Sequence, residues 1–164
     1  MLIELNNIFN NDGECFKFEY TMDLSSYDLN GQHPFASPVS IVGKVFNNVG
    51  VVKLEANASF RYVGICDRCA DDITKDFVVP IEHFLVQSLN NEDNDDYIIV
   101  PDMKLDLDEL VLTDMLLSLP SKNLCSDDCK GLCSMCGQNL NHGHCNCKKD
   151  VDPRLASLLQ LLEE

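Results

Sequence analysis

The sequence predicts an α+β protein: a small antiparallel β-barrel or bent sheet with one packed helix, followed by a zinc-stapled C-terminal module ending in a short helix. Three observations predict it. Much of the first half alternates apolar and polar residues with the period of a strand. A capped, apolar-faced stretch follows, and then a segment with six cysteines and few large apolar residues. The expected division is a β-rich domain over residues 1–122, with its helix at about 106–119, and a zinc-binding module over 123–164.

Taken in order, Phe16, Phe18 and Tyr20 alternate with Cys15, Lys17 and Glu19, which reads as a strand. Residues 39–46 form a β-rich run. Asn47-Asn48-Val49-Gly50 is a hairpin signal between that run and the next. Residues 53–62 alternate throughout: Leu54, Ala56, Ala58, Phe60 and Tyr62 share one face, and Lys53, Glu55, Asn57, Ser59 and Arg61 share the other. Residues 77–87 read as a further strand, and Pro80 makes it an edge or a bulge, because proline has no N–H to donate. Sequential strands of this kind favour a meander.

Residues 90–96 are acidic and lack apolar side chains, as expected of a solvated connector. Residues 97–100 read as a short strand ended by Pro101. In the helix, Asp106 serves as the cap, with Glu109 in a capping-box relation. Leu107, Leu110, Val111, Met115 and Leu117 supply the apolar face, and Pro120 is the stop. At the far end, Asp152 and Pro153 open a second helix whose Leu155, Leu158, Leu159 and Leu162 follow i, i+3, i+4, i+7 spacing.

Composition narrows the classes of function. At 45% apolar, the 164 residues can build a core, yet no apolar run approaches the roughly 20 residues that a membrane span needs. The N-terminus lacks a basic stretch followed by an apolar one, so no signal peptide is expected and the expected compartment is the cytoplasm. Asp and Glu number 27 against 12 Lys and Arg, for a net charge of −15, and the longest basic run is Lys148-Lys149. Eight thiolates would add eight negative charges and two zinc ions return four positive ones, so loading leaves the chain more acidic still. Such a field disfavours direct, non-specific RNA binding and suits a basic partner protein.

In a reducing compartment, paired cysteines point to metal or catalysis rather than disulfides. Cys15 stands alone and is expected to be a buried small hydrophobe. Cys133-Ser134-Met135-Cys136-Gly137 reads as a zinc knuckle: two intervening residues let both sulfurs turn inward, and Gly137 can take the positive φ the turn needs. Cys145 and Cys147 complete a four-sulfur set. His142 or His144 replacing one of these sulfurs is the alternative. The pairs Cys66/Cys69 and Cys125/Cys129 cannot close a site alone, and together they make a second all-thiolate site bolting the sheet to the C-terminal module. The competing readings are that one pair is merely buried thiols, or that ligands mix between the sites.

A thiol oxidoreductase built on Cys66 and Cys69 is a further alternative. It calls for a dithiol at a helix N-terminus in a βαβ unit, whereas strands flank this pair. No phosphate-cradling glycine loop, His-Glu-x-x-His or Gly-x-Ser-x-Gly is present. His33 and His83 are isolated, and His83, in a strand run, reads as structural. No catalytic residues and no small-molecule substrate are expected.

Cys66-Asp67-Arg68-Cys69, Leu119-Pro120, Cys125-x3-Cys129-Lys130-Gly131-Leu132-Cys133-x2-Cys136-Gly137-x-Asn139-Leu140-Asn141, Cys145-x-Cys147 and Asp152-Pro153-Arg154-Leu155 together resemble the YceD family, the large ribosomal RNA subunit accumulation proteins. The resemblance spans nearly the whole chain. Ser134 departs from it, since the family often has proline there. The resemblance implies a non-enzymatic role in 23S ribosomal RNA synthesis, processing or stability during large-subunit assembly, with a basic ribosomal protein or a pre-50S particle as partner. A zinc-ribbon adaptor contacting RNA or polymerase directly is the competing class.

Overall fold

The structure, a computed structural model, describes residues 1–88 and 97–147. The chain runs β1 (Leu2–Glu4), α1 (Asn6–Asn10), β2 (Cys15–Met22), β3 (Val39–Asn48), β4 (Val51–Ile65), β5 (Asp72–Val86), β6 (Tyr97–Ile99), β7 (Lys104–Asp106) and α2 (Leu107–Ser118). It divides into two compact units. One holds residues 1–64 and 72–122. The other holds residues 65–71, from the end of β4 to the start of β5, together with, among the described residues, 123–147.

The first unit is mostly sheet. Five strands lie in the order β2-β3-β4-β5-β6, and β1 pairs separately with β7. β2 and β3 are antiparallel from Cys15↔Phe46 to Met22↔Val39, and β3 and β4 from Ser40↔Ser59 to Asn48↔Val51. The β3–β4 turn is Val49-Gly50, both with positive φ (53° and 79°), the conformation whose twist matches an antiparallel pair. Asn47 secures it: its buried side chain accepts from Gly50 N at 2.9 Å and donates to Ile8 O at 2.8 Å, joining the turn to α1.

The inward face of β4 is the predicted one, with Leu54, Ala56, Ala58, Phe60 and Tyr62 all buried. Val39, Ile41 and Val45 of β3 and Val79, Ile81 and Leu85 of β5 are buried as well. α2 packs on β5 and β1 through Leu107, Val111 and Met115. Asp106 caps α2 by accepting from Asp108 N at 3.1 Å. The helix closes at Leu119, which is extended (ψ 139°), as the steric demand of a following proline requires. His83 Nε2 lies 2.6 Å from Asp114 Oδ2 of α2.

Three expectations need correction. The sheet is open, not a closed barrel: β2 and β6 are its two ends. The physical reason is β6, which has three residues, against eight in β2, and bonds β5 in parallel (Phe84↔Tyr97 to Val86↔Ile99), so it neither continues the meander nor offers an edge long enough to close on β2. The edge expectation for Pro80 is not among these: β6 pairs only at 84–86, so no β6 residue stands opposite Pro80. Cys15 is exposed, since Phe18 and Tyr20 set the inward side of β2 and an odd-numbered neighbour falls on the other face. Leu117 is 80% exposed, because the buried stripe of α2 recurs every fourth residue and Leu117 is turned away from it. The expected acidic connector at 90–96 and the helix from Asp152 lie outside the described residues. No described helix is long and apolar enough to cross a membrane.

Candidate metal centres

The second unit brings the eight paired cysteines into two groups of four. The sulfurs of Cys66, Cys69, Cys125 and Cys129 lie within 4.8 Å of one another, and so do those of Cys133, Cys136, Cys145 and Cys147. In the first group Cys66 Sγ is 3.8 Å from Cys129 Sγ, and Cys69 Sγ is 3.6 Å from Cys125 Sγ. A tetrahedron with metal–sulfur bonds of about 2.3 Å has edges of about 3.8 Å. The spacing therefore fits one ion per group. No histidine belongs to either group among the described residues; His142 Nε2 instead lies 3.2 Å from Asp71 Oδ2.

Both groups are built on the same local turn. At 66–71, Cys66 N donates to Asp71 O at 2.8 Å and Ala70 N donates to Cys66 O at 2.9 Å. At 133–138, Cys133 N donates to Gln138 O at 2.8 Å and Gly137 N donates to Cys133 O at 2.9 Å. The residue after the second cysteine is left-handed in each, Ala70 at φ 59° and Gly137 at φ 73°. Glycine takes that conformation without steric cost; alanine takes it at roughly 1–2 kcal/mol.

The turn aims backbone N–H groups at sulfur. Burial pushes the Cys66 thiol up, yet the N–H groups of Arg68, Cys69 and Cys125 hold it down at about 6. The N–H groups of Cys136 and Met135, with the Cys145 thiol, hold Cys133 down at about 6. The Cys136 sulfur and burial push Cys147 up to about 12. Cys129 is held down too, chiefly by the Asn141 side chain, so each group has at least one member favoured as a thiolate, and ion uptake must release protons from others.

The longer reach of the first group is held by polar contacts across the unit. Asp67 N donates to Asn123 O, and Asn123 N to Asp67 Oδ2, both at 2.8 Å. Leu132 N donates to Arg68 O at 3.0 Å, and Arg68 Nη1 donates to Cys129 O at 3.2 Å. Asn139 Nδ2 donates to both oxygens of Asp71, at 2.9 and 2.8 Å. Sequence reasoning singled out every cysteine in these groups and gave Asn139, Asp71 and Ala70 no structural part. The available signal for Asn139 was its fixed place after the knuckle, in the Asn139-Leu140-Asn141 segment.

Chemically, four sulfurs converging on one point can hold a soft or borderline cation and leave no open position for water or substrate. That geometry favours a folding staple over a hydrolytic metal.

The family description "Large ribosomal RNA subunit accumulation protein YceD" matches residues 54–162, a span holding all eight of these cysteines. The chain is 28% identical over 155 residues to uncharacterized protein YlbN of Bacillus subtilis, covering 92% of this chain and 90% of that protein. It is 30% identical over 104 residues to uncharacterized protein Rv2926c of Mycobacterium tuberculosis, covering 61% of this chain and 50% of that protein. No solved structure matches.

Proposed function

The chain belongs to the YceD family of large ribosomal RNA subunit accumulation proteins, and on that premise we propose that it is a non-enzymatic assembly factor ordered by two structural zinc ions. The observation that carries the reading is the pair of closed four-sulfur groups. Closed-shell zinc accepts four thiolates in a tetrahedron and does no redox chemistry, so it suits a site whose work is to hold the chain. Cys66, Cys69, Cys125 and Cys129 would hold one ion, and Cys133, Cys136, Cys145 and Cys147 the other.

The charge supports a partner. A net charge of −15 repels phosphate and attracts a basic ribosomal protein, which such a factor can shield before that protein reaches its RNA site. Mixing the zinc-loaded chain with purified large-subunit ribosomal proteins and, separately, with 23S RNA fragments tests this. The expected result is binding to a basic protein that weakens steeply between about 0.05 and 0.3 M salt, with no RNA binding in that range. RNA binding alone would favour the adaptor reading, and salt-insensitive protein binding would contradict the electrostatic one.

A further inference from the structure

Resting on the zinc reading above, we propose that Asn141 is a positioning residue of the Cys66/Cys69/Cys125/Cys129 site, donating a side-chain N–H to the Cys129 thiolate and so strengthening that site's hold on its ion. Asn141 Nδ2 lies 3.3 Å from Cys129 Sγ. Sulfur accepts hydrogen bonds at longer distances than oxygen does, and a metal thiolate carries enough negative charge to accept them well. A donor there spreads the charge that four thiolates bring against one dication.

The orientation of the amide is fixed by its other end. Asn141 Oδ1 accepts from Lys130 N at 2.8 Å. A backbone N–H can only donate, so the oxygen must face Lys130 and the NH₂ group must face the sulfur; the flipped amide would set donor against donor and oxygen against thiolate. The backbone around Asn141 is braced as well. Asn141 N donates to Asn139 Oδ1 at 2.9 Å, and Leu140 N donates to Gly131 O at 2.9 Å. The Asn139 amide in turn holds Asp71, two residues beyond Cys69. Residues 139–141 therefore bind both halves of the site, and Asn141 touches a sulfur itself.

Two variants separate a sulfur donor from a loop brace. Asn141→Asp keeps an oxygen for Lys130 N–H and puts a second oxygen against the thiolate. Asn141→Ala removes both contacts. If Asn141 acts on the sulfur, Asn141→Ala lowers the ion affinity of one site by roughly 10-fold and Asn141→Asp by roughly 100-fold, while the other site keeps its affinity. Chelator competition on the full chain reads the affinities. Cadmium-113 NMR of the cadmium-loaded chain reads the contact directly, with one of two resonances displaced in each variant. An Asp variant that binds like the parent, an unchanged pair of resonances, or loss of both resonances would overturn the proposal, the last by assigning Asn141 to folding. A parent chain that takes up no thiophilic metal at all would overturn the zinc reading first.

Discussion

The turns at 66–71 and 133–138 make the same backbone hydrogen bonds, yet the sites built on them differ in reach and burial. The Cys133 group closes within 133–147, and its sulfurs belong to half-buried or exposed residues. The Cys66 group joins 66–69 to 125–129, and three of its four cysteines are buried. One turn thus serves two purposes. Closed locally, it staples a short loop. Closed across a long separation, it brings two distant segments of one unit together, and it is the second use that comes with a polar shell of Asp67, Arg68, Asn139 and Asn141.

The largest effect expected from that difference is in cysteine substitution. Structural zinc contributes about 10–16 kcal/mol of binding free energy in small peptides, so a lost site costs its segment its order. Elemental analysis of the parent should give two zinc ions per chain. Cys66→Ser should lose one and loosen both 65–71 and 123–132 in hydrogen exchange. Cys145→Ser should lose the other ion and leave residues 65–71 protected. Equal losses from both variants would erase the distinction between the sites.

A smaller effect concerns lability. Exposed sulfurs meet chelators and electrophiles first. Cys136 and Cys147 should therefore be alkylated at least about 10-fold faster than Cys66 and Cys69 in the zinc-loaded chain, read by mass spectrometry. Preferential alkylation of Cys66 or Cys69 would contradict this and revive the redox reading of that pair.

The smallest effects lie in the turn residues. At Gly131 (φ 74°) an added Cβ would sit 3.0 Å from Arg68 O, whereas at Gly137 (φ 73°) it would meet nothing within 4 Å. Gly137→Ala should cost roughly 1–2 kcal/mol from backbone conformation alone, and Gly131→Ala more than that. Ala70→Gly relieves the same strain in the first turn and should leave that site as stable or slightly more so. Thermal unfolding of the three variants ranks them.

The sequence carried these features unevenly, for physical reasons. Leu54 to Tyr62 could be assigned to one face because a period of two over a long strand leaves no ambiguity. The β3–β4 hairpin was legible as the Asn- and Gly-bearing break at 47–50 between two β-rich runs, whereas the positive φ at Val49 was not, because a β-branched residue rarely takes it. The cysteines were legible because metal chemistry dictates their spacing. β1 and β7 went unread, since three residues each are too few to show a period. The parallel pairing of β6 is a tertiary choice that leaves no local trace. Asn141 was quoted only as part of a family pattern: a polar residue in a loop shows its role once the fold sets it beside Cys129.

X-ray absorption at the zinc edge of the natively purified full chain reads the ligands of both four-sulfur groups. The expected result is two zinc ions per chain, each with four sulfur neighbours at about 2.3 Å and no lighter ligand. Nitrogen or oxygen in the first coordination sphere, or a folded chain carrying no metal, would contradict it.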